Sequence, residues 1–123
     1  MQRVARLMLN IQGKRIHLAV GPTDGRKQII GLATLVKNSF ELDPFESAIF
    51  VFCNRSRNRL KILEWDGTGF WLHLKKLEQG RFAWPTAGNE KTMNLTDDEF
   101  YSLLAGPGLI QKLNRIEHGC AIA

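Results

Sequence analysis

An Asp-Gly pair, Asp66-Gly67, set between two alternating apolar and polar runs, Leu60–Trp65 and Phe70–Leu77, constrains this chain more than any other feature. A two-residue hairpin turn needs positive φ at both central positions, which glycine takes freely and aspartate tolerates. Gly69, just past the turn, suits a bulge. The hairpin lies inside a longer stretch, Ile49 to Pro85, that holds all three tryptophans and a series of arginines. Glu78-Gln79-Gly80 leads into a further run, Arg81–Trp84, which Pro85 stops because proline cannot donate to a sheet ladder. Ile49–Phe52 is apolar at every position, as a central strand covered on both faces would be. The stretch reads as three or four successive antiparallel strands, most simply a meander.

The flanking segments supply the partners of this sheet. Arg15–Val20 alternates as a first strand and ends at Gly21-Pro22. Ile29, Leu32, Val36 and Phe40 recur at three and four, which predicts a helix over Asp24 to Ser39. Thr23 is its expected N-cap, with Asp24 facing the positive end of the helix dipole. Gly31 within it weakens the helix relative to alanine and marks a place where another backbone approaches closely. The helix must stop before Leu42-Asp43-Pro44, since the residue preceding proline is driven out of the helical region. Thr92–Leu95 reads as a short edge strand. Thr96-Asp97-Asp98-Glu99 is a capping box, and Phe100, Leu103 and Leu104 give the helix after it an apolar face. Gly106-Pro107-Gly108 then breaks the chain, with Leu109–Glu117 a candidate for one more helix. The expected fold class is α+β: one domain over residues 1–123, an antiparallel sheet of about five strands with its hairpin or meander at 49–85. One main helix, about 24–39, and a C-terminal helix, about 97–105, pack on it. Residues 1–13 and 106–123 are expected to be flexible ends.

The 123 residues are 44% hydrophobic, enough for one core, and no apolar run approaches membrane-spanning length. The N-terminal apolar stretch is too short for a signal-peptide core, so a cytoplasmic protein is expected, with no membrane partner. Two cysteines, Cys53 and Cys120, are too few for a disulfide scaffold or a zinc site, and Cys53 falls in an apolar strand as an inert buried thiol. His17, His73 and His118 have no ligand spacing, and structural roles are expected for them. Asp24 is accounted for at a helix start and Asp66 in a turn, leaving Glu64 without the second carboxylate that two-metal phosphodiester chemistry needs. The segment Gly21 to Lys27 lacks the spacing of a phosphate-binding loop, so no cofactor, metal or small-molecule substrate is expected.

Charge points elsewhere. The chain carries 17 Lys and Arg against 12 Asp and Glu, a net +5. Between Asn54 and Arg81, seven cations stand against three anions, so much of the excess lies on the hairpin. Arg55, Arg57, Arg59 and Lys61 are spaced by two, which in an extended chain projects them to one face. Like charges on one face repel unless something anionic lies opposite. Lys75 and Lys76 join from the partner strand, interleaved with Trp65, Phe70 and Trp71, a combination suited to a nucleic-acid backbone and its unpaired bases. Arg26 and Lys27, at the expected helix start, could hold a phosphate by backbone N–H groups and two cations. A solvated helix start and a solvated sheet face over core aromatics are the plain alternatives.

Taken together, GPTDGRKQIIGL, DPF and IFVFCNRSRNRLKILEWDGTGFWLHLKKLEQGRFAWP, with the closing Leu-Thr helix start, resemble the Orf2-like accessory proteins of insertion sequences of the sixty-six family. The resemblance covers about Ile16 to Leu104. Its most specific part is Arg59-Leu60-Lys61-Ile62-Leu63 with Trp65-Asp66-Gly67 and Gly69, followed by Leu77-Glu78, Gly80, Phe82 and Trp84-Pro85. Gly25 stands where the family pattern has methionine, Gln28 where it has glycine and Asn58 where aspartate is common; the tail from Gly106 does not match.

The resemblance implies a part in transposition beside a separate, larger transposase that carries the DNA-cutting carboxylates. Three readings follow. The first is a non-enzymatic accessory factor that binds DNA, at the insertion-sequence ends, or the transposase–DNA complex, through Arg26, Lys27, Arg55, Arg57, Arg59, Lys61, Lys75 and Lys76. The second is a protein-interaction module that docks on transposase, with charge serving solubility. The third, and least supported, is a phosphodiester enzyme using Glu64 and Asp66.

Overall fold

Strand Ala48–Cys53 (β2) is buried at all six positions and lies at the middle of a five-stranded sheet. The computed structural model describes residues 11–86 and 88–106. The remaining strands are Arg15–Ala19 (β1), Arg59–Trp65 (β3), Phe70–Lys76 (β4) and Thr92–Leu95 (β5), in the order β4-β3-β2-β1-β5. β2, β3 and β4 form the expected antiparallel meander, with Val51 opposite Ile62 and Ile62 opposite His73. β5 pairs antiparallel with β1 at the other edge. β1 and β2 run parallel, with Ile16 opposite Ile49. The helical crossover between them makes this the sheet's one parallel pair, because parallel neighbours cannot be joined by a tight turn. The fold is α+β with a mixed, mostly antiparallel sheet.

Alternation along the strands divides the core in two. Ala19, Ala48, Phe50, Phe52 and Leu63 face the crossover helix, Ile29–Thr34 (α1), and pack on its Leu32 and on Val36. Ile16, Leu18, Ile49, Val51, Cys53, Leu60 and Ile62 face the other way, against Phe82, Trp84, and Phe100 and Leu103 of the C-terminal helix Asp97–Ala105 (α2). Thr96 caps α2 through the expected box: its hydroxyl accepts from Glu99 N–H at 3.1 Å, and the Glu99 carboxylate accepts from Thr96 N–H at 2.8 Å.

Two expectations are corrected. The main helix does not begin at Asp24, and Thr23 does not cap it: α1 starts at Ile29 after Gln28, which makes no side-chain cap bond. Asp24 instead accepts from the backbone N–H of Arg26 at 2.9 Å, and its own carbonyl accepts from Lys27 N–H at 3.1 Å. Aspartate bonding to nearby backbone competes with helix formation, and here the turn wins. The helix does reach Ser39, but its last stretch, Leu35–Ser39, is a wider π turn closed by Phe40 N–H donating to Leu35 O.

The second correction concerns Arg81–Trp84, which is not a strand of the sheet. Its backbone meets different elements: Phe82 N–H donates to Arg57 O at 2.6 Å, and Pro85 O accepts from Gly21 N–H at 2.8 Å. Phe82 and Trp84 face the core while Arg81 and Ala83 face out, so a strap crossing the core has the same period-two pattern as a strand. The fifth strand is Thr92–Leu95. Residues 1–10 and 107–123, including the expected helix Leu109–Glu117, His118 and Cys120, lie outside the described residues.

Candidate nucleic-acid interface

One corner of the sheet, on the side of α1, carries a cleft of about 660 Å³ between the loop 23–28 and the ends of β2, β3 and β4. Its walls include Thr23, Asp24, Gly25, Arg26, Gln28, Phe52, Asn54, Leu74 and the cations Arg59, Lys61, Lys75 and Lys76. Arg59 and Lys76 are directly opposite each other on β3 and β4, and both are exposed. Neither side chain has an ion-pair or hydrogen-bond partner among the described residues. Like charges directly across a ladder destabilise a sheet, so this pair gains from any anion that enters the cleft.

The other cations at the cleft are committed to holding it. Lys61, on the same face as Arg59, donates through Nζ to the carbonyls of Gly25 at 2.8 Å and Lys27 at 2.5 Å. Arg26 grips Asp24 with two bonds, Nε to Oδ1 at 3.1 Å and a terminal nitrogen to Oδ2 at 2.8 Å. That guanidinium, together with the Arg26 N–H, holds the Asp24 carboxyl far below the usual carboxylate range. Lys75 follows Leu74 on β4 and points to the opposite face, where Nζ donates to the Leu104 carbonyl at the end of α2. That position suits a cation, since the C-terminus of a helix is its negative end.

The remaining three predicted residues lie outside the cleft lining. Arg55 and Arg57 sit in the turn between β2 and β3, where Arg57 has φ 61 and its N–H donates to Asn54 O at 3.0 Å. The period-two projection therefore begins only at Arg59, the first residue of β3. The group close to Gly31 is not another backbone but the Lys27 stem, from the loop before α1, which a Cβ at Gly31 would meet at 3.4 Å. Sequence reasoning passed over Asn54, which organises this turn: Oδ1 accepts from Asn58 N–H at 3.1 Å and Arg59 N–H at 3.0 Å, and Nδ2 donates to Asn58 Oδ1 at 2.8 Å. Its signal was the pair of asparagines four apart around Arg-Ser-Arg. An aspartate at 58 would accept the same Nδ2 bond.

Aromatics and cations are not interleaved. Trp65 and Phe70, opposite each other, cluster with Phe45 at ring-centroid distances of 4.9 and 5.4 Å. That end of the ladder is six residues from Arg59, roughly 20 Å along a strand. Trp71 is on the other face, stacked on His73 at 6.1 Å. Trp84 is buried, with Nε1 donating to the carbonyls of Ala19 and Gly21.

The three carboxylates weighed for catalysis are dispersed. Asp24 is at the cleft and Asp66 in the β3–β4 turn. Glu64, buried on the face of α2, bonds Lys14 Nζ through one oxygen and lies 3.1 Å from His73 Nε2 through the other. Cys53, beside the cleft but with its side chain in the core on the opposite face of the sheet, has its thiol pushed up to about 12 by burial, which suppresses thiolate chemistry.

The fold and this corner define a small α+β domain whose cationic groove is built by a loop, a strand end and a hairpin. Residues 14–113 match the family described as IS66 Orf2 like protein, and the chain belongs to that family. It is 37% identical over 95 residues to uncharacterized protein y4jC of Sinorhizobium fredii (strain NBRC 101917 / NGR234), covering 77% of this chain and 80% of that protein. Uncharacterized protein y4hO of the same organism is 41% identical over 76 residues, 62% of this chain and 66% of that protein. No solved structure gives a significant match. Membership supports an accessory role in transposition, in association with the transposition machinery. Among the described residues, no helix is long and apolar enough to cross a membrane.

Proposed function

We propose that this chain is a non-catalytic, cytoplasmic accessory factor that binds DNA at the insertion-sequence ends, alone or with the larger transposase already bound. The observation that carries this reading is the facing pair Arg59 and Lys76 at the cleft, two cations without partners among the described residues. Phosphate contacts position a protein on DNA without reading its sequence, and a phosphate between these two would relieve their repulsion. Lys61 and Arg26 shape the loop wall, Lys75 closes the adjoining edge, and Lys27, Arg55 and Arg57 extend the positive surface around it.

The test is fluorescence anisotropy with labelled double- and single-stranded DNA across a salt series. Log affinity should fall linearly with log salt, and Arg59→Ala or Lys76→Ala should each reduce the slope by about 1, as expected for one lost phosphate contact. An unchanged slope in both variants would remove the cleft from the interface. A second reading, docking on transposase without DNA contact, draws on Ile30 and Phe45, apolar side chains 81% and 55% exposed on the α1 side of the domain. Such docking would show little salt dependence.

A further inference from the structure

β4 ends the sheet on one side, and its outer edge has no strand beside it among the described residues. The direction of its backbone groups follows from two bonds that bracket the β3–β4 ladder. Leu77 N–H donates to Asn58 O, and Asp66 N–H donates to Gly69 O. In the observed register, hydrogen-bonded pairs therefore fall at Leu60–Lys75, Ile62–His73 and Glu64–Trp71. Trp71, His73 and Lys75 turn their N–H and C=O groups inward, so those of Phe70, Leu72, Leu74 and Lys76 point out from the edge. Exposed edges are usually blunted by charge or proline. Here lysines occupy only the end of the strand, while Phe70 to Leu74 holds no lysine, acid or proline. Two side chains on this stretch, Trp71 and Leu74, are 56% and 67% exposed.

The strand is also polar in charge along its length. Arg59, Lys75 and Lys76 make one end positive, and Asp66, bonded to the Trp71 indole at 2.7 Å, makes the other negative. A parallel neighbour of the same sequence would set lysines beside lysines. An antiparallel one centred on His73 sets Leu72 against Leu74 and Phe70 against Lys76 on the outward-pointing pairs. It also sets Trp71 against Lys75, with each Asp66 near the cationic end of the other strand. Every apolar side chain left exposed on β4 gains a partner in that register, and the two ends are complementary in charge.

We propose that β4 pairs with β4 of a second copy of this chain, antiparallel about His73, forming a two-fold dimer with one continuous sheet. The two-fold is then normal to the sheet, so both α1 layers and both basic clefts face the same side. The dimer does not depend on nucleic acid, and it can be tested without any.

The full chain is followed by sedimentation velocity over a dilution series, beside Leu74→Pro and Leu74→Lys. Wild type should sediment at twice 14.0 kDa at high concentration. Residue 74 turns its N–H away from β3, so proline there removes an intermolecular bond while sparing the monomer's ladder. Each variant should weaken dimerisation about tenfold or more with the far-UV circular dichroism of wild type. Leu74→Lys serves if the proline variant does not fold. In a Cys120→Ser background, His73→Cys should form an intermolecular disulfide under mild oxidation, since facing residues at the two-fold bring their Cβ atoms close. A wild type that stays monomeric at every concentration overturns the proposal. So does a dimer that persists unweakened in a folded Leu74 variant, or a dimer in which position 73 does not cross-link.

Discussion

Lys61 and Gly25 are 36 residues apart in the chain, yet the Lys61 ammonium donates to the Gly25 carbonyl at 2.8 Å and to that of Lys27 at 2.5 Å. The bonds fasten the loop 23–28 to β3 and set the width of the cleft. They also place a positive charge under a loop that carries Arg26 and Lys27, a cost met only because the carbonyls accept directly from it.

Replacing Lys61 by methionine keeps most of the stem and removes both bonds. Hydrogen bonds from charged donors contribute about 1.5–3 kcal/mol each at most, and part of this site is open to water, so a loss of about 2 kcal/mol is expected. Urea denaturation would measure it. A change no larger than that of a typical surface substitution would mean the loop holds itself.

Glu64 offers a sharper contrast between structure and chemistry. It is 6% exposed and engages both Lys14 and His73. Glu64→Gln keeps the shape but withdraws the negative charge from a poorly solvated ammonium. Breaking such a pair from one side leaves the other charge uncompensated and should cost on the order of 3 kcal/mol. Loss of stability at that scale, with no change in DNA affinity of the folded protein, is the expected outcome. An equally stable variant that lost a Mg²⁺-dependent nicking activity present in wild type would instead revive the catalytic reading.

Much of this fold was legible because local signals agreed with the tertiary outcome. The all-apolar Ile49–Phe52 fixed the central strand and the Thr96 box fixed α2. Asp66-Gly67 marked the hairpin, although Asp66 N–H donates to Gly69 O, so that Gly67 and Thr68 are the central pair. Only Gly67 takes the positive φ expected of both Asp66 and Gly67. What misled was periodicity without pairing. Phe82 and Trp84 alternate inward because a strap over the core needs the same spacing as a strand, and only long-range bonds to Arg57 and Gly21 distinguish the two. Asp24 satisfies the rules for a helix start equally well as an Asx turn, and the bond to Arg26 decides between them. At the candidate site, the sequence placed Arg59 and Lys61 on one face but could not show that Arg55 and Arg57 precede the extended segment. Nor could it show that Lys75 is spent on Leu104 while Lys76 stands opposite Arg59 in the ladder.

The strap itself gives a third prediction. Trp84 Nε1 donates to Ala19 O at 3.0 Å and Gly21 O at 3.1 Å, pinning residues 82–85 over the end of β1. Trp84→Phe fills most of the volume but leaves both carbonyls short of a donor in a buried setting. A loss of about 2 kcal/mol is expected from unsatisfied acceptors and the vacated volume, read as a shift in urea midpoint. Were the variant as stable as wild type, the strap would be held by Phe82 and its backbone bonds alone.

The hairpin turn supplies a dependence on pH. Asp66 Oδ1 accepts from the N–H of Thr68 at 2.8 Å, the N–H of Gly69 at 2.9 Å and the Thr68 hydroxyl at 2.9 Å; Oδ2 accepts from Trp71. The Thr68 N–H, then the Trp71 indole, bring the carboxyl down from its ordinary 3.8 to about 2. A carboxyl with a lower pKa folded than unfolded stabilises the fold at pH values above 3.8, and that contribution drains away as pH falls through about 2. Asp66→Asn should therefore be less stable than wild type at neutral pH, and the gap should close as the solution is acidified through that window. Asp24, whose carboxyl is also held low, is common to both proteins and cancels in the difference. Urea midpoints of the two proteins over an acid titration measure the gap directly. If the gap stays constant down to the lowest pH at which both fold, the carboxylate charge contributes nothing, and Asp66 acts only through the shape of the turn.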